Sequence, residues 1–276
     1  MMMEKRGSIL IFTLWVLIIL AILSVILSRR ASTDIRLAKY ESDTIKATYL
    51  SRAGIMKMLV ELAKDQNGYD SLNEDWNRGK DNPRELKVGG GTIYYGASDE
   101  MSRLNLNSIG LTKEHLISLG IDNETVSEDI VEYKNKKDNR KFEFMEELFL
   151  VEGMTREIFL RIKDFVTIYR GDDSKVNINT AGKEVLMAVL GDESLVSDIL
   201  DYRKGPDGET GTEDDGFKDS SEISTIDRLN PALFTINSNF FRIWVEISFS
   251  KDKEIVKNAE AVVNRSTGKI YYWKEF

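Results

Sequence analysis

The chain contains no cysteine, which excludes a disulfide framework and thiolate chemistry. Its one histidine, His115, excludes a multi-histidine metal centre within one chain and leaves a single imidazole for acid–base work. His115 stands in "TKEHLISLG" among polar residues of an expected helix and reads as a surface side chain. Proline is scarce, with three in 276 residues, and between residues 8 and 64 there is none and only one glycine, Gly54. Nothing in that stretch breaks a helix. Basic residues are in deficit, 38 against 46 acidic ones, and the net charge of −8 argues against a general affinity for nucleic-acid backbones or anionic lipid. No nucleophile stands beside a recognisable base, so the chain reads as a non-enzymatic protein rather than a membrane-anchored hydrolase.

What the N-terminus does contain is "EKRGSILIFTLWVLIILAILSVILSRR". Its uncharged part, residues 8–28, rises about 31 Å as a helix, enough to span a bilayer's hydrocarbon core. The run ends in Ser28-Arg29-Arg30 without the small-residue site of a cleaved secretory signal. Lys5 and Arg6 on one side face Arg29, Arg30 and Arg36 on the other, so flanking charge leaves orientation open. Beyond the span, Ala38, Ile45, Tyr49, Ala53, Met56, Val60 and Ala63 recur at close to helical spacing, which predicts that the membrane helix continues as a soluble one.

The middle of the chain repeats itself. "RLNLNS" (residues 103–108) is echoed by "KVNINT" (175–180), and "SEDIVEYK" (127–134) by "VSDILDYRK" (196–204). An aromatic–acidic segment follows each: "KFEFMEELFLV" (141–151) and "GFKDSSEISTI" (216–226). A period of roughly seventy residues is too long for a solenoid and predicts a duplicated helical unit. Ser108 and Thr180 are candidate N-caps, and short helices meet at Gly120, Gly153 and Gly191. The pattern resembles duplicated helix-hairpin-helix or SAM-like modules, some of which bind DNA through glycine-rich turns. Here the second turn glycine is replaced by Asp122, Thr155 and Glu193, and basic residues do not cluster around these turns, so no nucleic acid is expected.

"GPDGETGTEDDGF" (205–217) carries the most pointed chemistry. Asp207, Glu209, Glu213, Asp214 and Asp215 place five carboxylates within nine residues of a glycine-punctuated loop. Hard oxygen donors on a flexible loop suit Ca²⁺ better than Mg²⁺, and the spacing is not that of an EF-hand. The alternative is a solvated acidic turn. Further on, "FFRIWVEISFS" (240–250), "EIVKNAEAVVNR" (254–265) and "KIYYWKEF" (269–276) read as strands, with turn signals at Lys251-Asp252-Lys253 and Ser266-Thr267-Gly268. "GGGTIYYGAS" (89–98) supplies one earlier strand.

A basic leader ending at Gly7, an apolar helix beginning at Ser8, a strand region interrupted by a helical insert with "VNINTA", and an acidic glycine loop occur here in one order. Together they resemble the minor pseudopilin K family of type II secretion systems, or a close type IV pilus relative. The resemblance implies an α+β, pilin-like fold: a long N-terminal helix packed on a small antiparallel sheet with a large inserted all-α domain. Along the chain it implies a prepilin leader (1–7), a transmembrane helix (8–28), its soluble continuation (29–65), the first part of the pilin-like domain (66–102), the helical insert (103–204), and the acidic loop with the rest of the sheet (205–276). It further implies cleavage between Gly7 and Ser8 by a prepilin peptidase, and a single-pass inner-membrane protein with its globular part in the periplasm. Its partners would be the I, J and H minor pseudopilins and the inner-membrane assembly platform, and its place the pseudopilus tip, supporting export across the outer membrane. Pilins usually carry glutamate at the fifth residue after the cleavage point, where this chain has Phe12; the missing carboxylate is a feature the resemblance associates with a tip subunit. The rival readings are a membrane-anchored DNA-binding protein of the DNA-uptake type and a type IV pilus minor pilin.

Overall fold

The computed structural model describes residues 4–136, 141–250 and 254–276. One uninterrupted helix, α1 (Glu4–Lys64), opens the chain, as the lack of proline requires. The chain divides into two compact units, the first ending at Tyr49 and the second beginning at Leu50. In the first unit the apolar side chains from Ile9 to Leu27 are exposed. With a mean hydropathy of 3.1 in its most apolar window, α1 is long and apolar enough to cross a membrane.

In the second unit the last turns of α1 bury Ser51, Ile55, Met58, Leu59 and Leu62, a face with helical spacing. Gly54 lies where α1 meets the sheet: a Cβ there would sit 2.8 Å from Ile93 Cγ2 and 2.9 Å from Val245 Cγ1. Only glycine lets the helix approach so closely. The sheet has five antiparallel strands in the order β1 (Arg84–Val88), β2 (Gly91–Asp99), β7 (Phe240–Ser248), β8 (Ile255–Asn264) and β9 (Ile270–Glu275). Alternation in β7 buries Phe241, Ile243, Val245 and Ile247 and leaves Arg242, Trp244 and Glu246 on the other face. The single strand expected at 89–98 is the second arm of a hairpin. Gly89 and Gly90 have φ of 61° and 78°, the left-handed pair that a two-residue hairpin turn demands, and β1 precedes them. A turn does occupy residues 265–267, and the turn signal at Lys251-Asp252-Lys253 lies outside the described residues.

Between β2 and β7 the chain leaves the sheet and builds a duplicated helical unit. The first repeat runs through β3 (Leu104–Asn105), α2 (Lys113–Ser118), α3 (Glu124–Lys136), a 3-10 turn (Met145–Leu150), α4 (Arg156–Ile162) and β4 (Val166–Thr167). The second contains β5 (Val176–Asn177), α5 (Lys183–Leu190), α6 (Glu193–Tyr202), 3-10 turns Ser220–Thr225 and Pro231–Leu233, and β6 (Phe234–Thr235). Each repeat closes by a short parallel pair, β3 with β4 and β5 with β6. The asparagines explain why the sequence repeats. Asn107 Oδ1 accepts from Phe142 N at 2.7 Å and its Nδ2 donates to Phe142 O at 3.0 Å. Asn179 does the same with Phe217, at 2.7 and 2.8 Å. Each pinned phenylalanine stacks on a tyrosine from the preceding helix, Tyr133 on Phe142 and Tyr202 on Phe217.

Two expectations change here. The N-caps are Thr112 for α2 and Gly182 for α5, not Ser108 and Thr180. Asn107 and Asn179 hold their segments in a non-helical bridge, Ser108 Oγ accepts from Gly110 N, and Thr180 donates to Asp99, so both hydroxyls are engaged before the helices begin. His115 is half-buried rather than a free surface side chain: its Nδ1 accepts from Thr112 N at 3.2 Å in a capping box, and burial lowers its pKa. The core of the helical unit also extends past residue 204, taking in Phe217, Ile223, Leu229, Phe234 and Ile236.

Candidate functional site

The sequence singles out two regions, the N-terminal helix and the acidic loop. Gly7 and Ser8 both fall within α1. Phe12 is exposed on the same helix.

The acidic loop follows α6. Of its five carboxylates, Asp207, Asp214 and Asp215 present oxygens within 4.8 Å of one another, while Glu209 and Glu213 stand outside this group. The Thr212 hydroxyl organises the loop, lying 2.7 Å from Asp214 Oδ1 and 2.9 Å from Asp215 Oδ1. Asp215 Oδ2 also accepts from Gly211 N at 2.6 Å, and Asp207 Oδ1 from Glu209 N at 2.8 Å. Gly205 has φ of 67°, and a Cβ there would meet Asp214 Oδ2 at 2.6 Å. That glycine is what lets the two ends of the loop converge. The Thr212 hydrogen bond holds the Asp214 carboxyl below the usual carboxylate range. Asn73 Nδ2 bonds the Thr212 carbonyl, tying the loop to the segment after α1. Three convergent carboxylates on a glycine-hinged loop are a donor set suited to a hard divalent cation.

A second acidic group, Asp65, Asp70 and Glu74, has no signature in the sequence. It is already satisfied. Arg265, arriving from the end of β8, donates to both oxygens of Asp70 at 2.7 and 2.8 Å, and Glu74 accepts from Ser71 N and Trp76 Nε1. Burial nevertheless pushes the Asp70 carboxyl up to about 7, against the pull of Arg265.

Two further carboxylates at the end of β2 join the sheet to the helical unit. Asp99 accepts from Met101 N at 2.6 Å, Asn177 Nδ2 at 2.9 Å, Ser238 Oγ at 2.6 Å and the Thr180 hydroxyl. The next residue, Glu100, is fully buried; it accepts from Arg242 Nε at 2.9 Å and Nη2 at 2.8 Å, and from Thr167 Oγ1 at 2.7 Å. Arg242 also pairs with Glu260. Neighbouring side chains of one strand end thus hold β5 and β4, one from each repeat.

A long N-terminal helix whose last turns pack on an antiparallel sheet, with a helical unit set into that sheet, is a pilin-like architecture. The fold matches a chain from the crystal structure of the GspK-GspI-GspJ complex of the enterotoxigenic Escherichia coli Type 2 Secretion System, with a TM-score of 0.60 and 14% sequence identity. The match covers 90% of this chain and 99% of that one. No protein-family model and no curated protein sequence matches the chain.

Proposed function

We propose that the chain is a K-type minor pseudopilin, a non-catalytic subunit that caps the tip of a type II secretion pseudopilus and supports its assembly and protein export. The observation that carries this reading is the pilin-like helix and sheet interrupted between β2 and β7 by a bulky helical unit, a fold common to this chain and nearly the whole of a chain in the GspK-GspI-GspJ complex. So large an insert does not repeat easily along a narrow filament, and a terminal subunit has no need of the membrane carboxylate that Phe12 replaces. Ile45, Tyr49, Met56 and Val60 are exposed on α1 and offer apolar contact for the helices of other minor pseudopilins.

In this reading residues 8–28 hold the chain in the inner membrane with the remainder in the periplasm, and a prepilin peptidase cuts between Gly7 and Ser8. Intact mass of the membrane-extracted protein, expressed with and without that peptidase, tests it. Loss of residues 1–7 is expected, and replacing Gly7 by a larger residue should leave the chain uncut. A chain uncut despite an active peptidase refutes the assignment.

DNA binding is disfavoured by the helix N-termini. Asp192 Oδ1 accepts from Ser194 N and Leu195 N at the start of α6, and Thr155 Oγ1 from Ile158 N at the start of α4, so side chains already engage N–H groups that a phosphate would require.

The acidic loop, in the same reading, takes Ca²⁺ through Asp207, Asp214 and Asp215, relieving the repulsion among them and fixing the loop to the fold. Calcium should raise the melting temperature of the detergent-solubilised chain. Asp214→Ala with Asp215→Ala should abolish that rise, and an identical rise in the double variant removes both as ligands.

A further inference from the structure

The duplication contains its own control experiment. Phe142 and Phe217 are pinned by equivalent asparagines, and two residues after each begins the cap of a 3-10 turn, Phe144 before Met145–Leu150 and Asp219 before Ser220–Thr225. Inside the turns Leu148 and Ile223 are both buried. In this register Phe144 corresponds to Asp219, Phe149 to Ser224 and Leu150 to Thr225. All three second-repeat residues are exposed and polar, so the fold is built there without an apolar side chain. In the first repeat the same positions expose Phe144 at 61%, Phe149 at 45% and Leu150 at 69%. The hydrophobicity of Phe144 and Leu150 is therefore not a requirement of the turn, while Phe149 is turned in part onto α4.

The patch also continues beyond the turn. Phe149 packs on Phe159 of α4 with ring centroids 4.7 Å apart, and Leu160 of α4 is exposed. Exposed apolar side chains gathered on one turn and the helix that follows it mark an interaction site. Residues 141–164 carry six carboxylates against four cations. Two of those cations are engaged, Lys141 with Asp172 and Arg161 with Asp122. Glu143, Glu146 and Glu152 are exposed and make no ion pair among the described residues. An anionic lipid surface would be repelled, whereas a segment offering apolar side chains beside lysine or arginine would be matched on both counts.

We infer that the 3-10 turn and α4 of the first repeat form a docking surface for an amphipathic, basic segment of a partner protein. Phe144, Phe149 and Leu150 supply the apolar contact, and Glu143, Glu146 and Glu152 the charge. This goes beyond the pseudopilin reading and does not depend on it, since peptide binding is read on the purified chain whatever its place in the cell.

The test uses the full chain in nanodiscs of neutral lipid, titrated with a short helical Leu/Lys amphipathic peptide and with its Leu/Glu counterpart. The Leu/Lys peptide should bind saturably and the Leu/Glu peptide should not. Phe144→Asp with Phe149→Ser and Leu150→Thr gives the first repeat the residues of the second. It should weaken Leu/Lys binding about tenfold or more. Because this variant gains a carboxylate, unspecific attraction to an acidic protein would bind it more tightly, the opposite sign. A second variant, Glu143→Lys with Glu146→Lys, leaves the apolar contact in place and should weaken Leu/Lys binding while admitting Leu/Glu. No Leu/Lys binding by the wild type, equal binding by the triple variant, or equal binding of both peptides overturns the proposal. Self-association lost in the triple variant would make the occupant a second copy of the chain and overturn it too, as would binding to anionic vesicles that the triple variant loses.

Discussion

Asp99→Ala is expected to destabilise the second unit by roughly 3–5 kcal/mol, because it strips the acceptor from several buried donors at once. Met101 N, Asn177 Nδ2, Ser238 Oγ and the Thr180 hydroxyl all converge on this carboxylate. Asn177 retains Ser238 Oγ and the Asp70 carbonyl, so the loss falls chiefly on the backbone N–H of Met101 and on the Thr180 hydroxyl. Burial raises the Asp99 pKa despite these donors. Its contribution is therefore fully present in acid, below the ordinary carboxylate value, and declines as the pH rises through the shifted one. Asp99→Asn keeps the shape and one acceptor and should cost less than the alanine variant. Thermal melts of the detergent-solubilised variants check the order; alanine and asparagine variants as stable as the wild type would show that the hub is not needed to hold the sheet and helical unit together.

Glu100→Gln is expected to cost about 3 kcal/mol at neutral pH, with the opposite dependence on acid. Burial alone would raise the Glu100 pKa, but the Arg242 guanidinium, with Arg103 and the hydrogen bonds, overrides it and lowers the value from 4.5 to about 2. A depressed carboxylate stabilises the fold above its unfolded pKa and loses that contribution as the pH falls toward its folded one. The gap between wild type and Glu100→Gln should thus be widest above pH 4.5 and close on approach to pH 2. Melting curves of both proteins across that interval measure it, and a gap that stays constant would show that the Glu100 charge does not couple to folding. Adjacent residues of one strand end are therefore expected to respond to pH with opposite signs.

Those two carboxylates were also what the sequence concealed. The helix through residue 64 is legible because nothing in it can break a helix, and the repeat is legible because Asn107 and Asn179 perform one task twice. β7 announces itself by alternation, whereas β1, "RELKV", is a mostly exposed edge strand with little β-branched content and leaves hardly a pattern. Asp99 and Glu100 read as an ordinary polar exit from a strand. Their meaning comes from Asn177, 78 residues on from Asp99, and Arg242, 142 residues on from Glu100, which no local rule connects. In the acidic loop the sequence offers five carboxylates, and only the folded turn shows that three of them, Asp207, Asp214 and Asp215, bring oxygens within 4.8 Å of one another. The N-caps are hidden for a related reason, since a hydroxyl ahead of a helix has other uses: Ser108 accepts from Gly110 N, and Thr180 donates to the distant Asp99.

The position of the helical unit within the sheet also favours one order of folding. β2 pairs with β7, and Asp99 lies opposite Phe241, so about 140 residues must be made before the central pair of strands can meet. Closing an unstructured loop of about that length costs about 4 kcal/mol in chain entropy. A helical unit that folds first, with β3 and β6 near its two ends drawn into its own parallel pairs, removes much of that cost before the sheet assembles. Until then the first hairpin waits without its neighbour, its β2 edge unpaired. Defects in the helical unit should therefore surface as aggregation through that open edge, in a part of the molecule the defect never touches.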